Sequence, residues 1–284
     1  MRTSSSLLIA ALALGCSSTQ TPPANTAPAA TTSQAPVAFG DLDAALAGPH
    51  RSEADRARDA HRHPRETLTF FGIAPGQTVV ELSPGGGWYT AILAPLLHDQ
   101  GKLVAAIPSP EGSRARYAAR FREFQAARPD LYGNIEIVVL EPPTQVNLGR
   151  PGSADAVLTF RNIHGWVNDN TFDAVLAGVF AVLRPGGVFG VVEHRAAEGA
   201  DVATNSRQGY VPEAFVIARA QAAGFVLDAR SEINANPRDT RDYTNGVWAL
   251  PPTLRGGDVE RERFVAIGES DRMTLRFRKP PAAS

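Results

Sequence analysis

Two kinds of hydrophobic pattern alternate along most of the chain. Short apolar runs rich in valine, isoleucine and leucine predict seven strands, at residues 77–82, 102–107, 135–140, 154–160, 188–192, 225–233 and 273–278. Longer segments with apolar residues at helical spacing predict helices at residues 52–71, 88–97, 111–128, 172–183 and 212–223. Pro64 is expected to start a second segment within the first of these helices.

The order of these elements predicts the fold class. Strands that alternate with helices form a mostly parallel sheet with helices on both faces. The last two strands break this alternation, because no helix of normal length lies between them, so they are expected to form an antiparallel pair at the edge. We therefore predict an α/β, doubly wound, Rossmann-like sheet with an antiparallel C-terminal hairpin. The long segment before the last strand, residues 234–270, could form a lid.

Composition indicates the size of the domain and argues against nucleic acid as a partner. The chain has 284 residues, 43% of them hydrophobic, which is enough for one large domain. A formal net charge of -1 gives no indication of nucleic acid as a partner, because phosphate binding usually leaves a basic excess. The cluster of Arg58, Arg62 and Arg65 is interpreted as the solvated face of a helix.

The N-terminus resembles a bacterial lipoprotein signal. Arg2 precedes an apolar stretch, residues 7–14, that is too short to span a bilayer and ends at Gly15 and Cys16. The resemblance implies a signal peptide at residues 1–15 and a lipid on Cys16. Ser17 after the cysteine is typical of sorting to the outer membrane rather than the inner one. We therefore predict a periplasmic, lipid-anchored protein. An ordinary secretory signal cut nearby is the alternative, and it would also place the domain outside the cytoplasm.

The residues after the signal predict a flexible tether. Residues 16–38 are mainly serine, threonine, proline and alanine, and such a segment buries too little apolar surface to fold. The globular domain is therefore predicted at residues 39–284. Cys16 is the only cysteine, so the mature domain has no disulfide and no thiol nucleophile.

A glycine-rich turn follows the first predicted strand. Glycine at such a turn lets the backbone approach a ligand, and ligands of doubly wound sheets lie beyond the carboxyl ends of the strands. Dinucleotide binding fits less well, because Thr90 stands where helix packing needs glycine or alanine. A tight turn without any ligand is the other interpretation. The residues predicted to bind a cofactor are Glu81, Ser83, Gly85, Gly86, Gly87 and Asn162.

Two polar clusters follow predicted central strands, at residues 161–166 and 193–195. Ionisable groups there are costly to desolvate unless they are paired or wet, so the two clusters predict one pocket. The residues predicted to be catalytic are His164, Glu193, His194, Arg161 and Tyr210.

Each of these side chains also has a structural interpretation. Arg161 could pair with Glu193 as a structural contact, and His194 could be a hydrogen-bonded core residue. His164 is the stronger candidate for a base, because Gly165 and the polar residues 168–170 predict a loop open to solvent. Trp166 could flank a substrate or pack in the core.

Five segments together resemble a predicted bacterial family of class I methyltransferases that use S-adenosylmethionine (SAM), many of them exported. The segments are residues 81–90, 159–166, 192–196, 232–237 and 268–275, and the resemblance extends from about residue 51 to residue 280. The class I motif is an acid followed by three alternate glycines. In this chain Glu81 is the acid, and Ser83 replaces the first glycine.

The resemblance implies SAM as the cofactor, with Glu81 near its methionine amino group. The acid that usually grips the ribose is replaced by Ile107, and the nearest acid is Glu111. We therefore predict a SAM-dependent methyltransferase that acts on a small-molecule acceptor. The alternative is a ligand-binding or repurposed periplasmic protein that does not use SAM. No metal is predicted, since the spacing of residues 61–66 does not put their histidines and glutamate on one helix face. The alternative is that His164, His194 and Glu193 combine in space. The sequence leaves the oligomeric state open.

Overall fold

A computed structural model describes residues 37–281 of the protein, and a seven-stranded sheet forms their centre. The sheet order is β3-β2-β1-β4-β5-β7-β6, in which β7 runs antiparallel to both of its neighbours and the other pairs are parallel. This confirms the predicted fold class. The strands are β1 (Thr78–Leu82), β2 (Lys102–Ile107), β3 (Glu136–Val139), β4 (Ala154–Phe160), β5 (Leu183–His194), β6 (Val226–Ser231) and β7 (Arg272–Arg278).

Helices cover both faces of the sheet. Side chains of β1 point alternately to the two faces, so Val79 packs with the helices of one face and Val80 with those of the other. The helices are α1 (Leu42–Ala47), α2 (Glu53–Ala57), α3 (Asp59–Arg62), α4 (Pro64–Phe71), α5 (Thr90–Leu97), α6 (Ala115–Ala127), α7 (Pro129–Tyr132), α8 (Ile163–Asn168), α9 (Phe172–Val182), α10 (Val202–Arg207), α11 (Glu213–Ala222) and α12 (Arg261–Ile267), with a 3₁₀ turn at Gly246–Ala249.

Two regions differ from the sequence prediction. The predicted first helix is divided into α2, α3 and α4. The new segment predicted to start at Pro64 is confirmed, and His63 before it adopts a left-handed conformation (φ 42°). The break between α2 and α3 at Arg58 was not predicted. The prediction of a loop around His164 is wrong, since this residue lies in the short helix α8. The polar residues that suggested a loop come at the end of α8, where Asn170 has a positive φ.

The chain order of the strands reverses at β1, which lies between β2 and β4. The loops that leave β1 and its neighbours diverge there, so the carboxyl ends of β1, β2 and β4 border a crevice. At this same edge, the first predicted polar cluster follows β4, and the second comprises the last two residues of β5 and Arg195.

The predicted signal peptide, the lipidated Cys16 and nearly all of the tether lie outside the described residues, so these stay predictions. Within residues 37–281, no helix combines the length and the apolar character needed to cross a membrane.

Candidate functional site

The turn after β1 is built from left-handed backbone. Ser83 has a φ of 47°, Gly85 of 63° and Gly87 of 81°. Glycine adopts this conformation without strain, whereas serine does so at a cost. This cost explains why the class I motif has a glycine at the position that Ser83 occupies here. A Cβ added at Gly85 would meet no atom within 4 Å, so the backbone of Gly85 faces open space.

The other two glycines of the turn face helix α6 instead. A Cβ at Gly87 would lie 2.8 Å from the ring of Phe124, and one at Gly86 would lie 3.0 Å from the guanidinium of Arg120. Gly87 is therefore required for the packing of α6, and it lines neither of the cavities described below. The contact predicted between Gly87 and a cofactor stays a prediction, and the position of Gly87 against α6 argues against it.

Two cavities meet at the open side of Gly85. We call the first the β2-side cavity; its volume is about 350 Å³. It lies against the ends of β1, β2 and β4, and Ile107 and Pro108 form its wall where β2 ends. Its lining is Ser83, Pro84, Gly85, Ile107, Pro108, Arg114, Tyr117, Phe121, Arg161, Asn162, His164, Gly165 and Trp166.

We call the second the arginine cavity; its volume is about 370 Å³. It lies on the side of the N-terminal helices, and the segment between β6 and β7 covers it through Trp248 and the prolines at residues 251–252. Residues shared with the β2-side cavity are Ser83, Pro84, Gly85, Arg161, Asn162 and His164.

A further cavity of about 460 Å³ lies between α8, α10 and α11, away from the glycine turn. It is the larger space, and two acids (Asp173 and Asp201) and two arginines (Arg207 and Arg219) line it, so its charges balance; Asp173 and Arg219 form an exposed ion pair. The crevice at the sheet edge holds the polar groups without such partners, so we place the site there.

Glu193 organises the polar groups at the ends of β4 and β5. Its side chain is fully buried, and Oε2 accepts a hydrogen bond from the backbone N–H of Ile163 (2.6 Å). Oε1 accepts from the backbone N–H of His194 (3.0 Å) and lies 3.0 Å from Nδ1 of His164. A carboxylate only accepts, so Nδ1 of His164 donates and Nε2 becomes the acceptor of that ring. The structure thus brings together the predicted residues His164, Glu193 and His194.

His194 is a neutral, hydrogen-bonded imidazole. Burial and the nearby charges of His164 and Arg161 hold its pKa well below the usual range. Nδ1 lies 2.5 Å from Oγ of Ser270. Ligand atoms of His164, Glu193 and His194 lie within 4.8 Å of one another, a spacing that could hold a metal ion. The sequence-based prediction of no metal therefore stays a prediction.

Arg161 does not form the ion pair with Glu193 that was considered from the sequence. Its side chain lines both cavities, and no hydrogen bond joins it to another described residue. Its backbone is left-handed (φ 64°), held by a hydrogen bond from its N–H to the carbonyl of Val192 (2.7 Å). Such strain is a feature of functional sites.

Asn162 also lies at this edge of the sheet. Its amide donates to the carbonyl of Leu82 (3.0 Å) and so ties the end of β1 to the end of β4. Two other predicted residues have protein partners. Glu81 is buried and accepts from the hydroxyl of Thr90 (2.6 Å). Tyr210 is buried and donates to Asp239 (3.1 Å), outside both cavities.

The sequence interpretation of the N-terminal arginines was wrong for Arg62. This side chain is only 1% exposed, and together with Arg58 it binds the carboxylate of Glu269, which precedes β7. No sequence pattern signalled this contact, because more than 200 residues separate the partners.

Solved structures resemble this fold, although no protein-family model matches the chain and the search of curated proteins gives no match. The cyclase SpnF superimposes with a TM-score of 0.56 at 14% identity, over 88% of this chain and 99% of that one. A geranyl diphosphate C-methyltransferase from Streptomyces coelicolor A3(2), solved with Mg²⁺, geranyl diphosphate and S-adenosyl-L-homocysteine, gives 0.53 at 14% identity, over 86% and 90%.

The fold is the Rossmann-like fold of class I methyltransferases. At these identities the likeness concerns the fold alone, and one of the two proteins is named as a cyclase. The reaction has to be argued from the site itself.

Proposed function

We propose that this protein is a SAM-dependent class I methyltransferase that acts on a small-molecule acceptor. The observation that carries the proposal is the open backbone of Gly85, at the point where the strand order reverses and the two cavities meet. One cavity is then available for the nucleoside of a cofactor and the other for an acceptor. The resemblance of five sequence segments to the bacterial, exported methyltransferase family supports the same proposal.

The residues of the β2-side cavity fit most of such a cofactor. Its volume lies within the range of about 300–1,000 Å³ that is typical of ligand pockets. Ile107, Phe121 and Tyr117 give it an apolar and aromatic wall that suits an adenine ring. No acidic side chain lines it, so ribose hydroxyls would have to be held by Asn162 or by backbone groups near Ser83. When bound, SAM supplies a methyl group on a positively charged sulfur.

The residues of the chain then supply position and a proton acceptor. Glu193 fixes the ring of His164 through Nδ1, which leaves Nε2 free to accept a proton from an acceptor group. His164 lines both cavities, so it can reach an acceptor that lies beside Gly85. Trp248 packs edge-on against His164, with ring centroids 5.9 Å apart, and helps to exclude water from this part of the arginine cavity.

Titration of the purified domain with SAM in a calorimeter tests the proposal. We expect binding in the micromolar range, and we expect Gly85→Asn to weaken it at least tenfold. Asparagine tolerates the left-handed conformation, so its side chain should fill the open space without unfolding the turn. The matched control is Gly72→Asn, because Gly72 also has a positive φ (73°) and open space, at the end of α4. Equal SAM affinity in the two variants, or no binding by a folded wild-type domain, would refute the proposal.

We also propose that the protein is exported to the periplasm and anchored to a membrane, the outer one in preference, through a lipid on Cys16. The charged and apolar residues before Gly15 and the unique cysteine support this. Growth with a labelled fatty acid should label the wild-type protein and leave Cys16→Ser unlabelled. Labelling of the variant to the same extent would exclude Cys16 as the anchor.

A further inference from the structure

Four arginines gather around a single carboxylate beside the arginine cavity. Arg58 donates to Glu269 through Nε (2.7 Å), Arg62 donates to both of its oxygens (3.2 and 3.0 Å), and Arg272 donates through Nη1 (3.1 Å). Arg161 is the fourth, and it is close enough for its charge to act on Arg62 and on Glu269. One carboxylate cannot neutralise four guanidinium groups.

The guanidinium groups also lack hydrogen-bond acceptors. Among the described residues, none accepts from either terminal nitrogen of Arg62, from Nη2 of Arg58 or from Nε of Arg272, although all four atoms are buried. The ring of Trp88 partly stabilises the charge of Arg62 through a cation–π contact, with its centroid 4.5 Å from the guanidinium carbon. The guanidinium of Arg161 has no hydrogen-bonded partner among these residues and borders the cavity directly.

These charges repel one another. Burial and then the charge of Arg161 lower the pKa of Arg62 to about 9, and burial lowers that of Arg161 to about 10, although Glu269 opposes this. Both groups therefore stay charged near pH 7, at a cost in stability. Perturbed ionisable groups in a cleft mark a candidate functional site, and an anionic ligand would supply the missing opposite charge here.

The only other acid that lines the arginine cavity is Asp55. Its carboxylate accepts a hydrogen bond from the hydroxyl of Ser52 at the start of α2 (2.7 Å). Asp55 is thus engaged at a helix terminus and is no partner in any described ion pair with Arg161 or Arg62. Asp55 keeps its negative charge, but the four arginines of the lining (Arg58, Arg62, Arg120 and Arg161) outnumber its two acids, so the cavity offers an anion a positively charged wall.

We propose that Arg161, with Arg58 and Arg62 behind it, forms a binding site for the carboxylate or phosphate group of a small molecule held in the arginine cavity. Guanidinium groups bind both kinds of anion through paired, charge-assisted hydrogen bonds. The oxygens of the anion supply the hydrogen-bond acceptors that the arginines lack. Because His164 borders the same cavity, a molecule anchored by its anionic group at Arg161 places its other end toward the proposed base.

The assignment of this anionic group to the methyl acceptor rests on the proposed function, whereas the anion site itself does not. SAM also carries a carboxylate, so the same chemistry has two possible sources. In both cases the arginines bind an anionic small molecule, and the following experiment distinguishes them.

The test uses inorganic phosphate, pyrophosphate and citrate as probes, titrated into the wild-type domain in an amine buffer of low ionic strength. We expect at least one probe to bind with a dissociation constant below 1 mM, and we expect Arg161→Gln to weaken that binding at least tenfold. This variant should fold, because it removes an unpaired charge. The control Arg150→Gln makes the same charge change at an exposed residue before β4. No binding of any probe, or equal loss in both variants, would overturn the anion site.

SAM and 5′-methylthioadenosine, which lacks the amino-acid carboxylate, then identify the source. If Arg161→Gln weakens the binding of SAM but not of methylthioadenosine, the site holds the carboxylate of SAM. If it leaves both unchanged while anion binding is lost, the site serves the acceptor. If the probes bind and SAM does not bind to the wild type, the anion site stands and the proposed methyl transfer fails.

Discussion

Replacement of Glu269 by alanine is expected to lower the free energy of unfolding by about 3–5 kcal/mol. The carboxylate is 4% exposed and is the shared partner of Arg58, Arg62 and Arg272. Its removal leaves these guanidinium groups without a counter-charge and with further unmet hydrogen bonds. Urea denaturation of the wild type and the variant at pH 7 measures the loss. Glu260→Ala is the matched control, since Glu260 pairs with Arg263 on the surface and should contribute less than about 1 kcal/mol.

The same carboxylate should give the protein an acid-sensitive contribution to stability. Burial alone would raise the pKa of Glu269, but the charges of the surrounding arginines outweigh it and lower the pKa to about 2. The folded state thus favours the ionised form, so this contribution is complete above about pH 4.5 and declines as the pH falls toward 2. Glu269→Ala should lack this decline. A variant with wild-type stability at pH 7 would contradict the description of a buried, shared counter-ion.

Much of the fold could be predicted from the sequence because its signals are local. The apolar run of β4 and the glycine turn after β1 each specify one element over a few neighbouring residues. All seven strands overlap their predicted ranges, although β5 begins at Leu183, five residues before its predicted start. The antiparallel edge pair could be predicted because the pattern shows no helix of normal length between β6 and β7, where α12 has only seven residues. Failures occurred where local signals were weak, as in α8, where Gly165 and the polar residues after it suggested a loop.

The site could be predicted only in part, because its contacts are long-range. The clusters after β4 and β5 indicated that His164 and Glu193 would meet, since parallel strands bring their carboxyl ends to one edge. The hydrogen bond between them confirms their proximity. In contrast, the pairing of Arg62 with Glu269 joins an N-terminal helix to the start of the last strand. Spacing along a sequence carries no information about such a contact, so Arg62 looked like a surface residue.

Glu81 is expected to reduce the stability of the protein at neutral and alkaline pH. It is buried at 2% exposure, and apart from the hydroxyl of Thr90 it has no side-chain partner among the described residues. Burial raises its pKa from 4.5 to about 7, against the opposing effect of the hydrogen bond from Thr90. Between these two pH values the folded state keeps a proton that the unfolded chain has lost, so stability falls as the pH rises through this window. This difference in pKa between the unfolded and folded states corresponds to a loss of about 3 kcal/mol in the free energy of unfolding.

Replacement of Glu81 by glutamine should remove that loss, because an amide accepts the hydrogen bond from Thr90 and carries no charge to desolvate. We expect the variant to be more stable than the wild type by up to about 3 kcal/mol at pH 8, and nearly equal to it at pH 4.5. Urea denaturation across this range measures both. Glu136→Gln, an exposed strand residue paired with Lys102, should leave the pH profile unchanged. If Glu81→Gln gains stability but loses affinity for SAM, the costly charge is retained for the cofactor, as the family resemblance implies. If the stability of Glu81→Gln still falls between pH 4.5 and 7, another group is responsible for the pH dependence of the wild type.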